Sequence, residues 1–232
     1  MTRAESDPGA VVDLFVTEDV ADRERDLLIR AREAGVRTSL VTGKAIAGLT
    51  DTVHPQGLVL VCRQPAATLP EAPTLVVVLV DVADPGNAGT VVRTADAAGA
   101  DAVVLAGESV DPFNPKCVRA SMGSLFHLPV VRERRPGESA ADALGRLRTL
   151  GLGVVVADGD GEAELGPATD DLLARPTAWV FGSEAHGVPA EVAAVADHRV
   201  RIPMRGRAES LNLATAAAVC LYASVRAHQG DG

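Results

Sequence analysis

The sequence predicts an α/β protein, on three observations. Glycine-bounded runs of Val and Leu alternate with Ala-rich stretches, the pattern of strands and helices in turn. One run, Leu75–Val82, is apolar without a break, as in the middle of a parallel sheet covered on both faces. Hydrophobic content is 47% and aromatic content 3% over 232 residues, so Val, Leu and Ala must build the core of one large domain or two small ones.

Taken in order, residues 1–10 read as disordered and contain no apolar signal core. Val11–Val16 reads as a strand, Ala21–Ala34 as a charged helix, Val36–Val41 as a strand, Gly43–Gly48 as a short helical piece and Gly57–Cys62 as a buried strand. These form a small α/β unit over residues 1–63. The Pro- and Ala-rich stretch 64–73 (QPAATLPEAP) reads as a linker. A second unit over residues 74–232 opens with Leu75–Val82. It continues with a helix over Asn87–Ala98, a strand over Ala102–Ala106, a short helix over Pro115–Met122 and a strand over His127–Val131. Next come a helix over Ala140–Leu150, strands over Gly153–Ala157 and Thr177–Phe181, and a short helix over Pro189–Ala194. Arg199–Ile202 alternates as a strand does. From Ser210, a plausible N-cap, the chain is nearly all apolar and small to Leu221, the pattern of a helix buried on most sides.

Bulk properties exclude several classes. No apolar run is long enough to span a bilayer. The three cysteines, Cys62, Cys117 and Cys220, are widely separated, so they suit neither a disulfide framework nor a zinc site. They imply a reducing compartment, which points to the cytoplasm. The formal charge of −9 argues against generic nucleic-acid binding but leaves room for a local basic patch. No cluster of His, Cys and Asp has metal-ligand spacing, so no metal is expected. A GxxxxGK[ST] loop, a GxGxxG after a strand and a nucleophile elbow are all missing.

Three strands of the second unit end in loops of unusual composition. After Leu75–Val82, Asn87, Gly89 and Arg93 fall at i, i+2 and i+6 of a helix start, where Asn87 can cap and Arg93 could project from the side of Asn87's loop. After Thr177–Phe181, Gly182-Ser183-Glu184 places a carboxylate at the carboxyl edge of the sheet, where α/β proteins bind ligands. Glu184 also suits a cap for the helix at Pro189, and His186 suits a solvated loop position. The third loop, Pro203–Glu209, leads to Ser210 and Asn212, where free backbone N–H groups can bind a ligand or an ordinary core helix can be capped. Basic residues gather nearby: Lys116 and Arg119 three apart on one helical face, then Arg132, Arg134 and Arg135, and then Arg199, Arg201, Arg205 and Arg207. They lie where phosphates would, but no stacking aromatics accompany them to read bases.

Together the segments NAGTVVR (87–93), FGSEAHGVP (181–189) and IPMRGRAESLNLATAAAVCLY (202–222) resemble the three ordered motifs of the SpoU-type (TrmH) branch of the SPOUT methyltransferases. NPKCVRASMGSLFHLPV (114–130) is similar to that family too, and the match covers about residues 74–225. The resemblance implies a sheet whose C-terminal chain passes through a loop to form a deep trefoil knot. It implies S-adenosylmethionine held there by Ala157, Asp158, Gly159, Gly182, Ile202 and Leu211, and an obligate homodimer with the site near the interface. It implies methyl transfer to a ribose 2′-hydroxyl of RNA, with ribosomal RNA preferred to tRNA. Within that chemistry Arg93 supplies positive charge to the developing oxyanion, and Glu184 orients an Arg or holds the loops. Asn87 and Asn212 position the hydroxyl and the loop, and Ser210 supports the last turn. Lys116, Arg119, Arg205 and Arg207 are the RNA contacts. The first unit resembles the end of a ribosomal-protein-like substrate-binding domain, abbreviated or with its start upstream of Met1. The competing readings are a knotted RNA-binding or assembly factor without catalysis and a dinucleotide-dependent enzyme.

Overall fold

The computed structural model describes residues 10–133 and 138–229 and divides into two compact units, Met1–Pro65 and Ala66–Gly232. The disorder expected for residues 1–10 falls almost wholly outside the described residues, as do Arg134 and Arg135.

The first unit is a three-stranded sheet in the order β2-β1-β3, with β1 at Val11–Val16, β2 at Arg37–Leu40 and β3 at Leu58–Cys62. β1 pairs in parallel with β2 and antiparallel with β3. Asp13, buried on β1, takes a two-pronged hydrogen bond from the Arg37 guanidinium opposite it, which holds the Asp13 carboxyl below the usual carboxylate range. Two expectations are corrected here. The charged helix is two helices, α1 (Glu18–Arg23) and α2 (Arg25–Glu33), because Glu24 between them leaves helical geometry at φ −107°, ψ 41°. The strand at Leu58–Cys62 is not buried: it is an edge strand, with Leu60 46% and Val61 42% exposed. A helix α3 covers Gly43–Leu49, capped by the Thr42 hydroxyl.

The second unit is a seven-stranded parallel sheet in the order β6-β5-β4-β9-β7-β10-β8. Its strands are β4 (Leu75–Val80), β5 (Ala102–Ala106), β6 (Val130–Glu133), β7 (Gly153–Ala157), β8 (Ala163–Glu164), β9 (Thr177–Phe181) and β10 (His198–Arg201). Every residue of β4, β5 and β9 is buried, which is why these strands read as continuous apolar runs rather than alternations. Alternate residues serve the two faces. Val77, Leu79, Trp179 and Phe181 pack with helices α4 (Pro85–Ala97) and α9 (Leu213–Gln229). Val76, Val78, Val104 and Val180 pack with α6 (Ala140–Thr149). Between β5 and β6, α5 (Pro115–Ser121) lies against α4. The short helices α7 (Asp170–Leu173) and α8 (Ala190–Ala193) complete the layers. Trp179 stacks on Phe181 and donates its indole N–H to the buried Ser224 hydroxyl on α9 at 2.9 Å, pinning that helix to the sheet.

The topology positions the site. The chain lays down β4, β5 and β6 outward, and then β9 enters between β4 and β7 and β10 enters between β7 and β8. The carboxyl ends of β9, β7 and β10 therefore sit side by side. The helix starts differ from expectation. α4 begins at Pro85 and is capped by Asp84, not Asn87: Asp-Pro supplies an acceptor and a first residue without N–H. α9 begins at Leu213, where the Asn212 side chain accepts from Ala214 N and Thr215 N, so Ser210 is not the cap. α9 is buried on one face only, through Leu213, Ala217, Cys220, Leu221 and Ser224, while Val219 and Tyr222 are 39% and 52% exposed. The strand expected from His127 starts at Val130. His127 instead closes a 3₁₀ turn, and its Nδ1 lies 2.6 Å from the Asp96 carboxylate. No helix among the described residues is long and apolar enough to cross a membrane.

Candidate active site

A cleft of about 450 Å³ opens at the adjoining carboxyl ends of β7, β9 and β10. Four segments form its walls. Ala157, Asp158 and Gly159 come from the end of β7, and Gly182, Ser183, Glu184 and Gly187 from the loop after β9. Ile202 and Met204 follow β10, and Glu209 to Leu213 lead into α9. All six residues expected to hold a cofactor line this one cleft, and Glu184, Ser210 and Asn212 line it with them.

The loop after β9 is shaped by its backbone. Ser183 and Gly187 exchange N–H to C=O bonds at 3.1 and 2.8 Å, and Gly187 sits at φ +67°. Gly182 lies so close beneath this closed turn that any Cβ there would overlap Gly187 and Val188 backbone atoms. Glu184 is thereby held at the rim, and it does not cap the next helix, which has no side-chain cap. His186 is exposed, with its N–H bonded to the Ser183 hydroxyl.

Asn87, Glu184 and Asn212 are brought together from three loops distant in sequence. Asn212 Nδ2 donates to Asn87 Oδ1 at 3.1 Å, and Asn87 Nδ2 donates to Glu184 Oε1. The orientation of this chain is fixed at both ends. Asn212 Oδ1 is taken by two helix N–H groups, so its amide nitrogen must donate to Asn87; a carboxylate can only accept, so Asn87 must donate to Glu184. On the far side of Glu184 lies a second cavity of about 730 Å³, bordered by Asp81, Asp84 and Asn87 as well as by Ser183, Glu184 and Gly187. Glu184 is thus a wall shared by both.

Two residues that the sequence reading did not single out together complete this corner. The Asp84 carboxylate accepts the Asn87 N–H at 2.8 Å on one oxygen and the Lys116 ammonium at 2.7 Å on the other. The Lys116 contact first, and the Asn87 N–H second, hold the Asp84 carboxyl below its ordinary range. The dipeptide Asp84-Pro85 is the signal that could have placed this cap.

Arg93 is not brought to the cleft. Six helical positions turn it about 120° away from Asn87. It is exposed, lines neither cavity, and has no hydrogen-bond or ion-pair partner among the described residues. The basic residues sort into two groups. Arg199 pairs with Asp158 and Glu162, Arg201 with Glu164, and Arg205 more loosely with Glu164 at 3.8 Å. Lys116 is given to Asp84. Arg119 and Arg207 are exposed and without a partner among the described residues. Burial pushes the thiols of Cys117 and Cys220 up to about 11 and about 12, so neither supplies a thiolate near neutral pH.

Comparison with known proteins bears on what such a site does. Residues 74–222 match the model of the SpoU rRNA Methylase family, and residues 3–67 match that for RNA 2'-O ribose methyltransferase substrate binding. The chain is 38% identical over 216 residues to the 23S rRNA (guanosine(2553)-2'-O)-methyltransferase RlmP of Bacillus subtilis, covering 93% of this chain and 81% of that protein. It is 31% identical over 233 residues to the 23S rRNA (guanosine-2'-O-)-methyltransferase RlmB of Bordetella pertussis, covering 96% and 92%. Among solved structures, AdoMet-bound rRNA methyltransferase from Sinorhizobium meliloti superposes with a TM-score of 0.80 at 33% identity, covering 96% of this chain and 82% of that one. The SpoU methyltransferase AviRb from Streptomyces viridochromogenes, in complex with AdoMet, gives 0.81 at 31% identity, covering 99% and 87%.

Proposed function

Because the chain belongs to the SpoU rRNA methylase family, we propose that it methylates a ribose 2′-hydroxyl of 23S ribosomal RNA, with S-adenosylmethionine as donor. The observation that carries this reading is the meeting of Asn87, Glu184 and Asn212 at the rim of the cleft formed by three adjacent strand ends.

The residues of the cleft suit this cofactor. Its volume lies in the range of small-molecule sites. Ile202, Leu211 and Leu213 offer apolar surface, and the bends at Gly159 and Gly182 offer backbone groups. Asp158, Glu184 and Glu209 line it and no Lys or Arg among the described residues does, an electrostatic match to a ligand carrying a sulfonium and an ammonium. When bound, S-adenosylmethionine supplies an activated methyl group. The protein's part is to place a ribose hydroxyl in line with that group and to favour the oxyanion that develops. Asn87 and Asn212 hold the hydroxyl's surroundings, Glu184 fixes Asn87, and Ser210 supports the turn that carries Leu211 and Asn212. Arg93 supplies positive charge, and Arg119, Arg205 and Arg207 meet RNA phosphates.

The entry of β9 and β10 between strands laid down earlier supports the knotted path of the family. The apolar residues left open on α5, at its end and on α9, namely Val118, Met122, Val219 and Tyr222, support a homodimer joined through these helices. Sedimentation equilibrium should return the mass of two chains, and a single-chain mass at micromolar concentration would remove the dimer.

The test of function is calorimetric titration with S-adenosylmethionine and S-adenosylhomocysteine, followed by transfer of a tritiated methyl group to ribosomal RNA and to tRNA. Binding of both ligands with label in the ribosomal RNA is the expected result. Binding without transfer to either RNA would leave an RNA-binding factor. Leu211→Arg, which puts a long cation into the cleft, should weaken cofactor binding on the order of 100-fold, since the added side chain fills the space the ligand needs and repels a cationic ligand. Unchanged affinity would show that the cofactor binds elsewhere.

A further inference from the structure

We propose that Lys116 positions the active site through Asp84 and Asn87 and is not a contact to the RNA backbone; the inference rests on the methyltransferase reading. By charge and exposure alone, a lysine in the first turn of a surface helix beside a candidate RNA site would be taken for a phosphate contact. Its surroundings assign it otherwise. The ammonium lies 2.7 Å from Asp84 Oδ2, while Asp84 Oδ1 accepts the Asn87 N–H at 2.8 Å. Both carboxylate oxygens are therefore committed, and the carboxylate cannot rotate without losing one bond. Asn87, held by its backbone in the first turn of α4, sends its side chain to Glu184 and Asn212. One connected path thus runs from Lys116 on α5 to the two residues that border the cleft.

The packing of α5 on α4 supports the same assignment independently. Two glycines, three residues apart in α4, make room for α5. A Cβ on Gly86 would stand 3.1 Å from the Lys116 Cε, and one on Gly89 would overlap the Cys117 carbonyl. The stem of Lys116 is laid across the first turn of α4, and the backbone that carries it is in contact with that helix. The pair is half exposed, at 56% for the lysine side chain and 43% for the aspartate, so its effect on global stability is small. Its effect on orientation need not be, because a displacement of about 1 Å in a positioned group can cost on the order of 100-fold in rate.

The experiment compares Lys116→Met, Lys116→Arg, Asp84→Asn and the Lys116→Met/Asp84→Asn double variant of the full chain, with ribosomal RNA as substrate. Lys116→Met and Asp84→Asn should each lower kcat about tenfold, within the range that positioning controls. KM for RNA and the slope of log affinity against log salt should not change. The double variant should be no slower than either single one, and Lys116→Arg should keep most of the activity. A raised KM with kcat retained and a salt slope reduced by about one would make Lys116 a phosphate contact and overturn the proposal. So would additive losses in the double variant. Amide hydrogen exchange at Asn87 gives a second readout that needs no turnover. Protection should fall at least several-fold in Lys116→Met, and unchanged protection would sink the proposal. A wild-type protein that transfers no methyl group would count against the methyltransferase reading, while the exchange result still decides whether Lys116 holds Asn87.

Discussion

Arg93→Ala is expected to reduce methyl transfer by at least 10²- to 10³-fold, about 3–4 kcal/mol of transition-state stabilisation, the size of effect seen when one oxyanion donor is removed. The affinity for S-adenosylmethionine should stay within about twofold, the scatter of contacts that are not made. The asymmetry follows from where the residue stands. Arg93 lines neither cavity and has no partner among the described residues, so its removal breaks nothing that shapes the cleft. From its exposed place on α4, the proposed role requires that bound RNA or a second subunit bring guanidinium and reacting hydroxyl together. The charge is the useful property. A guanidinium is a poor base, whereas intact it stabilises an oxyanion or anchors the neighbouring phosphate directly. Arg93→Lys separates these uses: it keeps charge but gives up the two-pronged fork. Single-turnover rates at saturating cofactor, with calorimetry alongside, make the measurement. Normal turnover by Arg93→Ala would remove the residue from the mechanism.

The parallel sheet was legible because its central strands are buried on both faces, so Leu75–Val80 and Thr177–Phe181 carry their identity in every residue. The cleft residues were legible for another reason. The three motifs follow β4, β9 and β10, and the sheet order sets the ends of β4, β9, β7 and β10 side by side. What escaped the sequence reading depends on contacts between distant segments. Nothing local marks Asn87 as a partner of Glu184, 97 residues away, rather than as a helix cap; the cap role had already gone to Asp84. Helix α9 read as buried on most sides because its exposed face is also apolar, and sequence cannot say which partner covers Val219 and Tyr222. Lys116 read as a free cation because a charge pair between helices 32 residues apart leaves no periodic trace. The edge strand Leu58–Cys62 shows the opposite failure. Its alternation is absent although it is half exposed, since Leu60 and Val61 are simply left open.

Gly182→Ala is expected to lower cofactor affinity on the order of 100-fold and to destabilise the protein by about 1–3 kcal/mol, although it adds a single methyl group. The added carbon would lie under 3.0 Å from the carbonyl carbon and oxygen of Gly187 and from the nitrogen of Val188. These are backbone atoms, so no side-chain rotation relieves the overlap. The turn above it cannot yield cheaply either. It is closed by both Ser183–Gly187 hydrogen bonds, and Gly187 holds a positive φ that few other residues accept. The strand below is fixed by the buried Phe181. The loop must therefore lift as a unit, and it carries Ser183, Glu184 and Gly187, which form walls of both cavities. Gly145→Ala is the matched control. Nothing stands within 4 Å of a Cβ there, and the site is an exposed position inside α6, where Ala is favoured over Gly by about 0.5–1 kcal/mol. The two variants should shift the unfolding transition, followed through the fluorescence of the single tryptophan, Trp179, in opposite directions. Only Gly182→Ala should lose affinity for S-adenosylhomocysteine. If Gly182→Ala bound it as tightly as the wild type, the closed turn after β9 would not be the element that shapes the cofactor site.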